Sequence, residues 1–187
     1  MNTEYEVRVL DIDKEKIINK LKKLNATFKW EHVQRRYTYD FNPVLPNKWI
    51  RLRTNGTKST ITIKEIKSSN IDGTKELEIE VDDFDKANKL LEELGYKHRN
   101  FQENKRCQYD LNGVEIDIDD WPLIPTYLEI EGKSEEEVYK TMELLEIDKS
   151  MVTSKDVTDI YKDYGYDILK EKDLKLEEER LWIVLKT

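Results

Sequence analysis

Charged residues recur at every second position along several short segments of the chain. Near the N-terminus Glu4, Glu6 and Arg8 follow this spacing, and Arg51 and Arg53 repeat it further along. Successive side chains of a β-strand point to opposite faces, so each segment has one charged face and one apolar face. For a single strand, a charged face in contact with solvent is the ordinary interpretation. For the whole set that interpretation is weaker, because like charges two residues apart repel and a face built for solubility would mix signs.

The two kinds of charge favour different ligands. Arginine and lysine bind phosphate oxygens, and arginine does so as a bidentate fork. Paired carboxylates are hard oxygen ligands for Mg²⁺ or Mn²⁺, which bridge to substrate phosphates. A cavity with both sets suits a polyanion with bound metal, such as a triphosphate. The strand charges are basic at Arg8, Arg51, Arg53, Lys64 and Arg106, and acidic at Glu4, Glu6, Glu76, Glu78, Glu80, Glu115, Asp117, Asp119, Glu129 and Glu131.

The period-two segments predict about eight strands. Asn112–Gly113 is a two-residue hairpin signal between two of them, and Asn55–Gly56 and Asp72–Gly73 mark further turns. The predicted strands are Glu4–Leu10, Arg35–Phe41, Trp49–Thr54, Ser59–Ile66, Lys75–Val81, Asn104–Leu111, Val114–Asp119 and Tyr127–Gly132.

Three amphipathic helices interrupt these strands, over Lys14–Leu24, Asp85–Leu94 and Glu135–Leu145, and a fourth helical stretch spans about Ser154 to Tyr164. Their apolar faces need an apolar surface to cover, and the apolar faces of the strands provide one. In a closed barrel with helices outside, the charged faces would point inward. The predicted fold is therefore α+β, an eight-stranded antiparallel β-barrel with helices packed outside, which is wide enough for a small ligand.

The bulk properties exclude several functions. The chain of 187 residues suits one domain, and its net charge of −8 argues against nucleic-acid binding as its main role. A single cysteine, Cys107, leaves no disulfide framework. The polar N-terminus does not resemble a signal peptide, and no apolar run reaches the length of a membrane span. We expect a cytoplasmic protein that associates with neither membranes nor nucleic acid.

The N-terminal pattern Glu4-x-Glu6-x-Arg8 resembles the ExExK signature of the CYTH superfamily, the triphosphate tunnel metalloenzymes. This superfamily includes inorganic triphosphatases, thiamine triphosphatases and class IV adenylyl cyclases. The order of the later motifs strengthens the resemblance over roughly residues 1–165. In chain order these are Arg51-Leu52-Arg53, Lys64, the acidic strand with Glu76, Glu78 and Glu80, Lys105-Arg106 with Tyr109, Asp119, and Glu129-Ile130-Glu131.

The resemblance implies a tunnel domain over residues 1–165 and specific roles within it. Catalytic roles fall to Glu4, Glu6 and Arg8, and the acids of the central strand, Glu76, Glu78 and Glu80, line the tunnel. The implied ligands of Mg²⁺ or Mn²⁺ are Glu4, Glu6, Glu129 and Glu131, with Asp117 or Asp119. The implied triphosphate ligands are Arg8, Arg51, Arg53, Lys64 and Arg106, with Lys155 closing the tunnel. Residues 166–187 form a charged tail that the segment LKEKDLKLEEERL predicts to be helical.

Three functions are consistent with these residues. The first is hydrolysis of inorganic triphosphate, a nucleoside triphosphate or a similar small molecule. The second is class IV adenylyl cyclase activity, and the third is binding of polyphosphate without turnover. Two departures from the superfamily leave the choice open: position 8 is arginine rather than lysine, and the segment QRRYTYDF lacks the acidic pattern of many cyclase-like members. In that segment either Arg35 or Arg36 faces the tunnel. The resemblance also implies a homodimer.

Overall fold

The computed structural model describes residues 1–177 and contains ten strands and four α-helices in that part of the chain. The strands are β1 Asn2–Val9, β2 Thr27–Asp40, β3 Lys48–Thr54, β4 Ser59–Ile66, β5 Thr74–Val81, β6 His98–Leu111, β7 Val114–Asp120, β8 Tyr127–Gly132, β9 Val152–Thr153 and β10 Asp173–Leu174. The helices are α1 Lys14–Lys23, α2 Phe84–Glu93, α3 Glu135–Leu144 and α4 Val157–Asp163.

Eight of the strands close into an antiparallel barrel. Their order is β6-β2-β3-β4-β5-β1-β8-β7, and β7 pairs again with β6 to complete the circle. Strand β1 lies between β5 and β8. Its residues Asn2–Glu4 pair with β5, and its residues Tyr5–Val9 pair with β8. This confirms the predicted α+β fold with an eight-stranded antiparallel barrel.

Strands β2 and β6 are longer than their sequences predict. Each has 14 residues, whereas the alternation of apolar and polar residues is clear only from Arg35 and from Asn104 onward. The additional residues pair mainly with the other long strand, from Thr27 opposite Asp110 to Tyr39 opposite His98. Cross-strand pairing therefore extends both strands where local sequence patterns give no signal.

The hydrophobic core lies outside the barrel, between its apolar outer faces and the helices. Helix α1 contributes Leu21 and helix α3 contributes Val138 and Met142 to a cluster that covers β1, β7 and β8. Helix α2 covers β3 with Ala87 and Leu91. Each helix begins at an aspartate or serine whose side chain accepts a backbone N–H bond from the first turn. The apolar strand faces are thus turned outward, and the charged faces are turned into the barrel.

The described part of the C-terminal tail, 166–177, is not helical, so the predicted helix is wrong over these residues. Strand β10 instead pairs in parallel with β6 at Phe101 and Gln102. Leu174 and Leu176 are both buried there, and their spacing of two fits an extended chain rather than a helix. The remainder of the predicted helix and tail, 178–187, lies outside the described residues. None of the helices in residues 1–177 has the length and apolar character needed to cross a membrane.

Candidate functional site

The barrel encloses a cavity of about 640 Å³ whose walls are formed mainly by charged side chains. The inward faces come from alternate residues of neighbouring strands, so the cross-strand register decides which charges meet. The predicted site residues that line the cavity are Glu4, Glu6, Arg8, Arg51, Arg53, Lys64, Glu76, Glu78, Arg106, Glu129 and Glu131.

Three carboxylates on β1 and β8 form the candidate metal centre. Glu6 lies opposite Glu131 in the antiparallel register, and Glu129 is two residues from Glu131 on the same face. One oxygen from each of the three carboxylates can be chosen so that all three lie within 4.8 Å of one another. Glu6 and Glu129 are buried, so these oxygens form a fixed, water-poor set of hard donors, as Mg²⁺ and Mn²⁺ require.

Positive charge is shared unevenly among the acids around this centre. Arg8 and Arg106 outweigh burial and hold the pKa of Glu129 below its ordinary range, whereas Glu131 and Glu4 are less compensated. Burial, reinforced by Glu129, Glu115 and Glu6, raises the pKa of Glu131 to about 7. Burial also raises the pKa of Glu4 to about 8, although Lys64 opposes the shift. A divalent cation would supply the missing charge, so the donor set fits a metal ion.

Arg8 holds two carboxylates of this centre in place. Its guanidinium contacts Glu6 at 2.8 Å and Glu129 at 2.6 Å, and it donates to the backbone oxygen of Lys155 at 2.8 Å. Burial alone would lower its pKa, but Glu129 and Glu6 outweigh burial and raise the pKa of Arg8 well above the ordinary value. Arg8 is therefore a permanent cation that cannot accept a proton from a substrate.

Asp117 and Asp119 lie behind Arg106 rather than on the cavity wall. The Arg106 guanidinium donates to both oxygens of Asp119, at 2.9 and 2.6 Å, and it also bonds Asp117. Asn104 donates to Asp119 at 2.7 Å, and Asp119 is fully buried. Since neither aspartate lines the cavity, the prediction that one of them holds the metal is not supported by this geometry; both instead fix Arg106.

The cationic wall is formed by β3 and β4. Lys64 lies 2.7 Å from Glu76 and 3.1 Å from Glu4, and Arg51 lies 3.4 Å from Glu76. Burial works against the charged form of Glu76, yet Arg51 and Lys64 outweigh it and hold the pKa of Glu76 below its ordinary range. The positive charge of Arg53 is less well balanced, because its ion pair with Glu78 is longer, at 3.7 Å.

Two predicted site residues point away from the cavity. The Lys155 ammonium pairs with Asp163 at 2.6 Å on the surface, and it is the backbone oxygen of Lys155 that reaches the site through Arg8. Glu80 lies at the end of β5, where its side chain is 70% exposed and pairs with Lys58. This geometry does not support the predicted roles of Lys155 in phosphate binding and of Glu80 in lining the tunnel, and both stay predictions. A lysine ahead of a short helix and an acid at a strand end give no sequence signal of their orientation.

Sequence reasoning missed the inward position of Tyr127 and left that of Arg36 undecided. Tyr127 shares a face with Glu129 and Glu131, and its buried hydroxyl has no hydrogen-bond partner in residues 1–177. The spacing of two from Glu129 was a signal that could have identified it. Arg36 also lines the cavity, directly opposite Arg53 on β3. The choice between Arg35 and Arg36 needed this register, which the sequence alone does not provide.

Fold and site together define a closed β-barrel that encloses a cationic wall and a carboxylate-rich candidate metal centre. Residues 2–164 match the CYTH domain, and the chain belongs to the CYTH family.

Several known proteins are similar to this chain in sequence or in structure. A Methanocaldococcus jannaschii protein named "putative adenylate cyclase" is 28% identical over 164 residues, which cover 82% of this chain and 91% of the relative. A Pyrococcus horikoshii structure is 28% identical with a TM-score of 0.69, covering 81% of this chain and 95% of that one. A Hippeastrum structure, described as a putative adenylyl cyclase with a dominant triphosphatase activity, shares the fold at 15% identity and a TM-score of 0.61. That alignment covers 91% of this chain and 100% of the Hippeastrum chain.

Proposed function

We propose that the protein hydrolyses a triphosphate in its barrel with the help of Mg²⁺ or Mn²⁺. The observation that carries this proposal is the arrangement of opposite charges in one cavity. Glu6, Glu129 and Glu131 converge on one wall, while Arg51 and Arg53 project from β3 on the far side. A substrate that fits must be polyanionic and must carry a metal ion, as a triphosphate does.

Glu6, Glu129 and Glu131 would hold the divalent ion, with Glu4 beside them. When bound, the ion would neutralise phosphate charge and polarise a phosphoryl oxygen. Arg8 keeps Glu6 and Glu129 in position, because it contacts both. Membership of the CYTH family supports dependence on a divalent metal.

Arg51, Arg53 and Lys64 would bind the phosphate oxygens, and Arg106 would support them from the neighbouring wall. These cations are held in place by carboxylates before substrate arrives, so little reorganisation is needed as charge develops. Water attacks the terminal phosphorus, the bond from that phosphorus to its bridging oxygen breaks, and phosphate and pyrophosphate result. Fixed charges inside a buried cavity stabilise this charge shift more than charges in water would.

Adenylyl cyclase activity is the second candidate, and one feature of the cavity favours it. Val44, Leu45 and Trp49 line one part of the wall, and Val44 and Leu45 are exposed, so apolar surface is available to a base. The name of the Methanocaldococcus relative points in the same direction. In this reaction the ribose 3′-hydroxyl would attack the α-phosphorus and pyrophosphate would leave.

Product analysis separates the candidates. Purified protein is incubated with inorganic triphosphate and, separately, with ATP, each with Mg²⁺, Mn²⁺ or excess chelator. Phosphate release that requires the metal is the expected result. Cyclic AMP with pyrophosphate from ATP would favour the cyclase, and tight binding without any product would reduce the protein to a polyphosphate binder.

A further inference from the structure

The inward faces of β2 and β6 carry a group of uncharged polar side chains. Three amides alternate along β6 at Asn100, Gln102 and Asn104, and β2 places Thr38 and Gln34 opposite the first and the last of them. All five residues are buried. A buried amide is costly unless its donors and acceptors are bonded, so each of these groups needs a partner in the protein or in a ligand.

Hydrogen bonds fix the orientation of Asn100 and, through it, of Gln102. The Asn100 nitrogen donates to the backbone oxygen of Ile168 at 2.9 Å, so the Asn100 oxygen faces the neighbouring side chains. That oxygen accepts from the Thr38 hydroxyl and, at 3.4 Å, from the amide nitrogen of Gln102. The Oε1 of Gln102 is therefore the free end of this amide, with no hydrogen-bond donor among residues 1–177.

Arg36 fixes the orientation of Gln34 in the opposite sense. A guanidinium can only donate, so the group that it meets at 3.0 Å is the oxygen of Gln34. Asn104 holds the same guanidinium in place, because its oxygen accepts from Arg36 while its nitrogen donates to Asp119 at 2.7 Å. The Nε2 of Gln34 is therefore the free end of this amide, with no acceptor in the described part of the chain.

Gln34 and Gln102 thus present an unused donor and an unused acceptor to the same cavity. Both side chains line it, and they lie on neighbouring strands, since Gln34 pairs with Asn104, two residues from Gln102. Side chains in this diagonal relation are close enough to meet one small group. An ionised phosphate has only acceptor oxygens, so it could satisfy Gln34 but would leave the Gln102 oxygen without a donor. A group that satisfies both glutamines must carry an N–H or O–H beside an acceptor.

We propose that Gln34 and Gln102 form a subsite for an uncharged group attached to the triphosphate, and that this group is a nucleoside. The hydroxyls of a ribose and the edge of a base carry donors next to acceptors, as the two glutamines require. In the closed order of strands β2 lies four strands from β1, so Gln34 and Glu6 lie on opposite walls of the barrel. The subsite rests on the proposed function, and it narrows the substrate from triphosphates in general to nucleoside triphosphates.

The test measures binding rather than turnover. At saturating Mn²⁺ the protein is titrated with a non-cleavable triphosphate analogue, in which methylene groups replace both bridging oxygens, and with the same analogue attached to adenosine, guanosine, cytidine or uridine. Wild type should bind at least one nucleoside analogue about tenfold or more tightly than the inorganic one. Gln34→Met and Gln102→Met should each weaken that nucleoside analogue about 3- to 10-fold and change the inorganic one less than about twofold. Gln108→Met is the matched control, since Gln108 also lines the cavity from β6, and it should leave both affinities unchanged.

Equal affinity of wild type for the inorganic analogue and for all four nucleoside analogues would overturn the subsite. Variants that weaken both kinds of analogue equally, or that leave nucleoside binding unchanged, would also overturn it. Gln34→Met removes the donor and Gln102→Met removes the acceptor, so either variant decides the question if urea denaturation shows that the other does not fold. Nucleoside-selective binding by a protein that cleaves no triphosphate would keep the subsite and reject the hydrolase. Metal-dependent cleavage of inorganic triphosphate by a protein without nucleoside preference would do the reverse.

Discussion

Glu6 of β1 lies directly opposite Glu131 of β8, and both carboxylates face the same buried cavity. Two acids in this arrangement repel each other, and removal from water adds to the cost. Arg8 offsets part of this cost, because it forms ion pairs with Glu6 and Glu129, although not with Glu131. Burial and the neighbouring acids therefore leave Glu131 with a raised pKa.

Replacing Glu131 should therefore change how the stability of the metal-free protein depends on pH. The pKa of Glu131 rises from 4.5 to about 7 on folding. Below the lower value both states hold the proton, and between the two values the folded state alone holds it, so wild-type stability falls as pH rises through this window. Glu131→Gln lacks this loss. Between pH 4.5 and pH 8 the unfolding free energy of the variant should rise by about 1–3 kcal/mol relative to that of wild type.

Chemical denaturation in the presence of chelator measures this effect. The difference in unfolding free energy between the two proteins should grow with pH and then level off above about pH 8. Saturating Mn²⁺ should make wild type the more stable of the two proteins, because the variant lacks one of the carboxylates that hold the metal. A difference that does not vary with pH would show that Glu131 titrates normally.

Metal affinity should depend on the three converging glutamates and not on acids elsewhere in the barrel strands. Glu6→Gln and Glu131→Gln should each weaken Mn²⁺ binding by about 10- to 100-fold, because each removes one charged oxygen ligand. Glu80→Gln is the control, since Glu80 is exposed and pairs with Lys58. Calorimetric titration measures the affinities. If Glu80→Gln weakened binding as much as Glu6→Gln, the metal would not be at the proposed centre.

The two candidate lysines should behave differently. Lys64 lines the cavity, whereas the Lys155 ammonium is on the surface with Asp163. Lys64→Ala should weaken binding of the triphosphate analogue about tenfold or more, and Lys155→Ala should change it less than about twofold. The alanine at 155 keeps the backbone oxygen that Arg8 uses, so the comparison isolates the ammonium. A large effect of Lys155→Ala would mean that this lysine turns inward when substrate binds.

Arg106 should be the largest single contributor to stability among the inward cations. Its removal leaves Asp117, Asp119 and Glu129 without their shared partner in the barrel. Arg106→Met should lower the unfolding free energy by about 3–5 kcal/mol. Arg99→Met breaks a more exposed pair with Asp40 and should cost about 1 kcal/mol or less. Urea denaturation of both variants makes the comparison, and equal losses would contradict a special role for Arg106.

The sequence predicted most of the barrel because period-two alternation is a local property. Segments such as the one with Arg51 and Arg53 show it clearly, and the charged faces could be assigned to the interior because helices need the apolar faces. The extensions of β2 and β6 were not predictable in this way. They depend on pairing between residues about 70 positions apart, such as Gln34 with Asn104.

The site was predictable for residues whose spacing fixes their face and less so for those whose partners decide their role. Glu6, Glu129 and Glu131 fall into the first group. Asp119 has the correct spacing, yet Arg106 and Asn104 occupy its oxygens, and no local pattern reports such a contact. Arg36 required the register of β2 against β3.

Anomalous scattering from crystals grown with Mn²⁺ and a non-cleavable triphosphate analogue tests the central claim most directly. A manganese peak within about 2.2 Å of oxygens from Glu6, Glu129 and Glu131 is predicted, with the phosphate chain extending from it toward Arg53. A manganese peak on Asp117 and Asp119, or an analogue bound outside the barrel, would contradict it.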